Sequence, residues 1–414
     1  MSNTTYNFTG KYDLPPNKLF QYSEIEMNDE DAKDIARTIL YKLASLKISA
    51  NVVDYTVGVT TTTIYLQPAD NVRMSRFKTI EDDLSIATGA KCRVIAPVYN
   101  TNYVAVEVPT KDRQIIRFGN ILDKGVAWDK VALPVSLGIK TDGTVLGFDL
   151  ADIPHLLIAG ASGQGKSVCL NVIINSLLCY KSPSKYQLIL IDPKKVEFSS
   201  YEPLKPMRMV SEIRTEPSDA VRELRGLCRH MDYRFSEMKA AGVRKLSDYN
   251  KIEGKSFSYV VCIVDEFSDL MMSDYGKEVE QYIIKIAQLG RAAGIHLIIA
   301  TQRPDADVIT GLIKANFPAR IAFRTSTGTD SRIIIDRNGA EKLTGNGDML
   351  FLHNGETTRA QCAYISDNEI NSVVEHWLKQ RETLNIEEEK PVAAPIFISE
   401  PEIKRTFWGK LFCM

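Results

Sequence analysis

The segment LLIAGASGQGKSV, residues 156–168, restricts the fold of this chain more than any other feature. Gly160, four further residues, Gly165, Lys166 and Ser167 form the complete G-x-x-x-x-G-K-[ST] phosphate-binding loop. Apolar residues that predict a strand precede this loop, and VCLNVIINSLL, which predicts a helix, follows it. A strand, this loop and a helix in that order predict an α/β domain with a nucleotide-phosphate site.

The loop also predicts which residues hold the nucleotide. Glycine lets backbone N–H groups turn towards phosphate oxygens without Cβ clashes, and the following helix directs its positive end at the same place. We expect Lys166 to contact the β- and γ-phosphates and Ser167 to hold Mg²⁺ through its hydroxyl. The predicted nucleotide-binding residues are Gly160, Ala161, Ser162, Gly163, Gln164, Gly165, Lys166, Ser167 and Val168.

Short apolar runs predict the sheet around this loop. They are HLLIAG, YQLILID, YVVCIVDE, HLIIATQ and ARIAFRT. Continuous apolar strands that alternate with helices are typical of a mostly parallel sheet buried on both faces. Each run ends near a polar or charged group, and the carboxyl ends of such strands line the binding crevice.

Two of these strand ends indicate hydrolysis of the nucleotide. Asp265 and Glu266 end one strand, and we expect Asp265 to bind the Mg²⁺ shell and Glu266 to act as the base that polarises water. Thr301 and Gln302 end the next strand, where they can contact the γ-phosphate and the attacking water. Neither a switch GTPase nor a small-molecule kinase needs this acidic pair, so the pattern favours an ATPase.

An arginine is expected to neutralise charge in the transition state. Arg291, in QLGRAAGIH, is one candidate. Arg303, Arg320, Arg324 and Arg332 compete with it, and surface salt bridging is the alternative interpretation for each.

The chain divides into four parts on composition. Residues 1–28 are polar and predict a flexible segment, and residues 29–118 predict a small α/β domain. Residues 119–385 form the predicted P-loop ATPase domain, and residues 386–414 form a charged tail. The tail contains a possible docking segment for a recruiting partner at Phe407–Phe412.

Composition excludes several classes of protein. The net charge is −1, so any nucleic-acid contact must come from a local ring or stripe of basic side chains. The seven cysteines form no CxxC pair, which predicts reduced core thiols and no zinc site. No signal peptide or membrane-spanning run is visible, so we expect a cytoplasmic protein.

Beyond the phosphate-binding loop, a series of blocks resembles the FtsK/SpoIIIE family of double-stranded DNA translocases. The blocks include LILIDPKKVEFSSYE, VDEFSDLMM, ATQRPDADVITGLIKAN and GAEKLTGNGDMLF, and they occur in order. The segments IEDDLSIATGAKCRVIAPV and YVAVEVP resemble the α domain of this family. The resemblance covers roughly residues 30–380.

The resemblance implies a RecA-like motor that forms a homo-hexameric ring around duplex DNA, with ATP and Mg²⁺ between subunits. It assigns the phosphate and Mg²⁺ roles to Lys166, Ser167 and Asp265, and that of the base to Glu266. Thr301 and Gln302 match the polar strand end, and Arg291 matches the arginine donated across the interface. The residues that the resemblance directs at the DNA backbone are Arg303, Lys314 and Arg332.

The chain also departs from the family pattern. No segment of it predicts a membrane helix, and the roughly 30 residues after the motor are too few to predict the winged-helix module of the family. Gly328 stands where family members commonly have a lysine. Two alternatives remain open: a protein-transport ATPase of the type VII secretion kind, and a scaffold that binds ATP without moving a substrate.

Overall fold

The computed structural model describes residues 12–24, 29–98, 100–110, 114–122, 128–207 and 209–383. A four-stranded antiparallel sheet lies in the first part of the chain, and a nine-stranded sheet occupies the rest. The first domain contains α1 (Asp29–Ser45), β1 (Ala50–Val57), β2 (Thr61–Pro68), α2 (Ser75–Thr79), α3 (Glu81–Thr88), β3 (Arg93–Ile95) and β4 (Val104–Pro109).

The small domain forms because its helices and strands each have one apolar face. Its strands follow the order β1-β2-β4-β3, and every neighbouring pair is antiparallel. Ile39 and Leu43 recur at helical spacing on α1 and are buried, as are Ile64 on β2 and Val106 on β4. These side chains belong to one core that is separate from those of the large sheet. The segments CRVIAPV and YVAVEVP form the antiparallel pair of β3 and β4.

The second domain contains the large sheet and its covering helices. Its helices are α4 (Phe118–Leu122), α5 (Lys166–Tyr180), α6 (Pro217–Ala240), α7 (Leu246–Tyr249), α8 (Phe267–Met271), α9 (Gly276–Ala293), α10 (Gly311–Asn316), α11 (Gly328–Ile335) and α12 (Asp367–Thr383). Its strands are β5 (Pro134–Lys140), β6 (Val145–Asp149), β7 (His155–Ala159), β8 (Tyr186–Ile191), β9 (Tyr259–Val264), β10 (Ile295–Thr301), β11 (Ala319–Phe323), β12 (Asp348–His353) and β13 (Glu356–Cys362).

The predicted parallel sheet is confirmed, and antiparallel strands extend it. The strand order is β6-β5-β13-β12-β11-β7-β10-β9-β8. The five strands from β11 to β8 are parallel to one another and correspond to the five apolar runs. The strands β12, β13, β5 and β6 add antiparallel neighbours that no apolar run predicts.

Helices bury both faces of this sheet. Alternate residues of β7, Leu156 and Ile158, belong to the core beneath α5 and α12, whereas Leu157 and Ala159 belong to the core beneath α6 and α9. This alternation is the period-two pattern of a strand, and it explains why the central strands are apolar throughout. The six cysteines that the structure describes are free and buried, as predicted.

The N-terminal segment differs from the expected flexible lead-in over its described part, residues 12–24. The Asp13 amide donates to Gln380 Oε1 over 2.9 Å, and the Gln21 amide donates to Glu369 Oε1 over 2.8 Å. Phe20 is buried, because its ring packs edge-on against another ring with the centroids 5.2 Å apart. Aromatic residues in a mostly polar stretch thus attach it to the second domain. The predicted docking segment Phe407–Phe412 lies outside the described residues.

Ion pairs join the two domains. Arg359 on β13 donates to Glu107 on β4 over 2.7 Å, and both side chains are buried. At the rim, Lys342 forms an ion pair with Glu81, and Lys91 donates to the Glu341 carbonyl over 2.9 Å. These contacts hold the small domain next to β13.

Candidate functional site

The phosphate-binding loop lies where β7 ends and α5 begins. Gly165 has φ of +116°, and a Cβ there would lie 2.9 Å from Gly347 Cα. A Cβ on Gly160 would lie 2.6 Å from Phe323 Cβ. Both positions therefore require glycine, the first for its backbone angle and both for close packing. The N-terminus of α5 faces the loop, so its free N–H groups are available to an anion.

Lys166 and Asp265 come together beneath this loop. Lys166 Nζ lies 2.5 Å from Asp265 Oδ1 and donates to the Asp265 carbonyl over 2.6 Å. Both side chains are buried, with 3% and 1% of their surfaces exposed. The burial raises the pKa of Asp265, and the Lys166 ammonium lowers it in part. The structure thus brings the two residues predicted for phosphate and Mg²⁺ into one ion pair.

Glu266 is the residue after Asp265, and its carboxylate accepts hydrogen bonds from four donors. Its Oε1 accepts from the Thr301 hydroxyl over 2.7 Å, from the Ser268 hydroxyl over 2.8 Å and from the Gln302 amide over 3.0 Å. Lys194 donates to its Oε2 over 2.9 Å. Burial alone would raise the pKa of Glu266, but the hydrogen bonds from Lys194, Thr301 and Ser268 outweigh that effect and lower it. Glu266 is therefore a fixed, ionised carboxylate at neutral pH, as a base must be.

Gln302 connects the two predicted groups of site residues. Its side-chain Oε1 accepts from the Ser162 hydroxyl of the phosphate-binding loop over 2.5 Å, while its amide contacts Glu266. The ends of β9 and β10 thus meet the loop after β7, because the strands are parallel neighbours and end at the same edge.

Sequence reasoning missed two of the groups that hold Glu266. Lys194 follows β8, and Ser268 lies in the first turn of α8. The signal was present, because YQLILID ends in polar residues as the other central strands do. Its strand β8 lies beside β9, so the DPKK segment reaches the same edge of the sheet.

A second loop, residues 344–347, closes against the phosphate-binding loop. The Gly347 amide donates to the Gln164 carbonyl over 2.9 Å, and Gln361 Nε2 donates to the Asn346 carbonyl over 2.7 Å. Asp348 follows this loop and accepts from the Thr344 amide and hydroxyl. Its carboxylate also binds Arg359, so the ion pairs between the domains connect to the nucleotide site.

A cleft of about 500 Å³ opens between the two loops. Its volume is in the range of small-molecule sites. Gly163, Lys166 and Ser167 line its polar end, and Ile115, Ile116 and Tyr364 line another part of it. The cleft therefore offers donors for phosphate together with apolar surface for a base.

The residues fit Mg²⁺ bound together with a nucleotide. Ser167 has a hydroxyl at the loop, and Asp265 Oδ2 is buried with no hydrogen-bond partner. Among the described residues, no three His, Cys, Asp or Glu side chains are grouped to hold a metal ion by themselves. Mg²⁺ keeps several waters and often binds through one or two protein groups plus phosphate, which matches this arrangement.

Arg291 lies away from the end of the sheet that carries the phosphate-binding loop. It is in the last turn of α9, before the amino end of β10, whereas the loop follows the carboxyl end of the parallel neighbour β7. Its guanidinium is 63% exposed and lies 3.9 Å from the carboxylate of Asp152, so it is only loosely paired. Arg320, another candidate, is buried and binds the Asp336 carboxylate over 2.5 Å, which indicates a structural role.

The three candidate DNA contacts lie on two helices and one loop. Arg303 is exposed two residues after β10, and Arg332 is exposed on α11. Lys314, on α10, donates to Asp336 over 2.9 Å. Arg320 donates to the Lys314 and Ile334 carbonyls and so ties the ends of α10 and α11 together.

The chain is similar to known proteins over most of its length. The FtsK/SpoIIIE family profile matches residues 120–306, and the FtsK alpha domain profile matches residues 14–110. The DNA translocase FtsK of Chlorobaculum tepidum is 40% identical over 408 residues, which cover 94% of this chain and 50% of the relative. That of Treponema pallidum is 39% identical over 377 residues, covering 88% and 47%. The chain spans about half the length of the curated relatives it matches.

Solved structures share the fold. The pCW3 conjugation coupling protein TcpA, in its monomer form with ATPγS, has a TM-score of 0.59 and 24% identity, covering 84% of this chain and 99% of that one. The cytoplasmic domain of the type VII secretion ATPase EccC of Thermomonospora curvata has a TM-score of 0.52 and 24% identity, covering 59% and 31%. In the described part of this chain, none of the helices is long and apolar enough to cross a bilayer.

Proposed function

Because the chain belongs to the FtsK/SpoIIIE family, we propose that it is an ATP-driven motor that moves along double-stranded DNA. In this proposal six copies form a ring, and ATP with Mg²⁺ binds at each interface. Lys166 and Ser167 hold the phosphates and the metal ion, Asp265 binds the metal shell, and Glu266 activates water.

The environment of Glu266 carries the proposal of hydrolysis. Four donors fix its carboxylate, and its lowered pKa keeps it ionised, so it can accept a proton from water. The Lys166–Asp265 pair adjoins it, and Gln302 joins it to the phosphate-binding loop. A phosphate donor for a small molecule would need no such water-activating carboxylate.

The location of Arg291 supports a site completed by a neighbouring copy. Its side chain is exposed and lies at the opposite edge of the sheet from its own phosphate-binding loop. A guanidinium there can reach a γ-phosphate only in another subunit. We therefore assign Arg291 to the nucleotide of the adjacent subunit in the ring.

A short connection leads from the proposed base to the proposed DNA surface. The Arg303 amide donates to Thr301 Oγ1 over 3.1 Å, and the Thr301 hydroxyl donates to Glu266. Movement of Glu266 on hydrolysis would thus displace the backbone that carries Arg303. Lys314 and Arg332 are the other two basic residues that we assign to sequence-independent phosphate contacts.

A second candidate is a protein-transport ATPase, since the EccC cytoplasmic domain shares the fold. The match to the FtsK alpha domain favours the DNA motor over this candidate.

Steady-state ATPase measurements with linear duplex DNA of increasing length test the proposal. Protein concentration should span ring assembly, and Glu266→Gln serves as the inactive control. We expect stimulation that rises with duplex length and then saturates, because a motor on a longer track dissociates less often per cycle. A protein that assembles and binds ATP, yet responds to no duplex, would contradict the DNA motor and support the transport alternative.

A further inference from the structure

A third carboxylate lies at the Ser167 hydroxyl. Ser167 Oγ donates to Glu197 Oε1 over 2.7 Å. We propose that Glu197 is a positioning residue for nucleotide-bound Mg²⁺: it orients Ser167 and the water shell of the ion, and Asp192 fixes the segment that carries it. This inference rests on the proposed nucleotide site, although not on DNA as the substrate.

The segment after β8 that carries Glu197 is firmly held. Asp192, which is 1% exposed, accepts from the Glu197 amide over 2.9 Å and from the Phe198 amide over 3.2 Å. Phe198 is fully buried. Glu197 therefore projects from a fixed backbone, so its contact with Ser167 is a built feature of the site.

The same segment is attached to the helix that carries Ser167. The Tyr201 hydroxyl donates to Asn171 Oδ1 over 2.7 Å and accepts from Asn175 Nδ2 over 2.8 Å. Both asparagines lie on α5, four residues apart, and Tyr201 is fully buried. The distance between Ser167 and the Glu197 backbone is thus set by contacts on both sides.

Two buried carboxylate oxygens in this region are available to a cation and its waters. Asp192 Oδ1 and Asp265 Oδ2 are buried and have no hydrogen-bond partner. Buried carboxylate oxygens without partners are costly, and an ion with its waters would satisfy them.

Glu197 acts through Ser167 and water, not as one of several direct protein ligands. No three acidic side chains in the described residues are close enough to one another to hold an ion directly. Mg²⁺ retains several waters, and the groups that orient ligands and waters commonly change metal affinity by about 10- to 100-fold. Glu197 is placed for that role because its carboxylate already orients the Ser167 hydroxyl.

Fluorescent ATP binding at increasing Mg²⁺, with a parallel titration in EDTA, tests this role. We expect Glu197→Gln to raise the half-saturating Mg²⁺ concentration by about 10- to 100-fold. Nucleotide affinity in EDTA should change less than twofold. Glu202→Gln is the matched control, because Glu202 is exposed and pairs with Lys205. Electron paramagnetic resonance of Mn²⁺ bound with ADP reports the metal environment independently.

Two results would overturn the inference. An unchanged Mg²⁺ requirement in Glu197→Gln would show that Glu197 only accepts a hydrogen bond from Ser167. An equal loss of affinity in EDTA would show a general structural role. If Glu197→Gln does not fold, Glu197→Asp is measured, and an unchanged Mg²⁺ requirement again counts against the inference. None of these measurements uses DNA or turnover, so failure of the DNA motor proposal would leave the result interpretable.

Discussion

Arg359→Met tests how the two domains are held together beside the nucleotide site. Arg359 is 3% exposed and binds two buried carboxylates. It donates to Glu107 of the small domain over 2.7 Å and to Asp348 over 2.7 and 3.0 Å. Methionine retains much of the side-chain volume, so the substitution mainly removes the positive charge and its donors.

The partners that remain for the two carboxylates determine how much unfolding free energy Arg359→Met should lose. Removing one partner of a buried ion pair costs about 3–5 kcal/mol, since the other charge stays buried. Glu107 keeps Arg93 at 3.1 Å, and Asp348 keeps the Thr344 amide and hydroxyl. These remaining partners place the expected loss in the free energy of unfolding near the lower end, about 3 kcal/mol.

Urea unfolding followed by tryptophan fluorescence measures this loss. Arg37→Met is the control, because Arg37 forms an exposed pair with Asp34 and its removal should cost about 0–1 kcal/mol. If Arg359→Met costs no more than Arg37→Met, the ion pairs between the domains do not stabilise the fold.

The pH dependence separates charge from packing. Burial would raise the pKa of Glu107, but Arg93 and Arg359 outweigh burial and hold the pKa below its ordinary value. The stability from Glu107 is therefore present above its unfolded pKa and is lost as pH falls through the lower folded pKa. We expect the difference between wild type and Arg359→Met to shrink below about pH 4. A difference that stays constant as the pH falls below about 4 would refute the electrostatic explanation.

Further substitutions test the proposed nucleotide and DNA contacts. Lys166→Ala should abolish nucleotide binding or turnover, and normal turnover would remove Lys166 from the phosphate site. Glu266→Gln should bind ATP and trap the assembled ring while hydrolysing at least about 100-fold more slowly, whereas a wild-type rate would mean that another group is the base. Arg291→Ala should regain turnover in mixed rings with Glu266→Gln subunits, and no gain at any ratio would contradict a role across the interface. Lys314→Ala with Arg332→Ala should reduce DNA-stimulated turnover and its salt dependence but spare ATP binding, and unchanged stimulation would remove both residues from the DNA surface.

Local patterns in the sequence were enough to predict the centre of the fold. The apolar runs correspond to β7 to β11, because strands buried on both faces must be apolar throughout. The glycines of the phosphate-binding loop likewise predicted its backbone, and the structure shows why Gly160 and Gly165 cannot carry a side chain. Such signals depend only on neighbours in the chain, so they can be recognised without the tertiary structure.

Contacts between distant segments were decided by the tertiary structure. Lys194 reaches Glu266 across 72 positions of the chain, and Arg359 reaches Glu107 across 252. The described N-terminal segment, expected to be flexible, packs on α12 through a few aromatic and backbone contacts. Hydrophobic periodicity in the sequence does not identify these partners. A long polar side chain occupies the same kind of position in that pattern whether it stays in solvent or contacts a buried charge.

The amino-acid sequence alone determined the family, the parallel sheet and the residues of the phosphate-binding loop, because each depends on short motifs whose spacing has few other structural solutions. Only the tertiary structure decided what surrounds them: the four donors on Glu266, the carboxylate of Glu197 at Ser167, and the separation of Arg291 from its own site. The physical reason is that pKa, burial and metal fit depend on the packing of segments far apart in the chain.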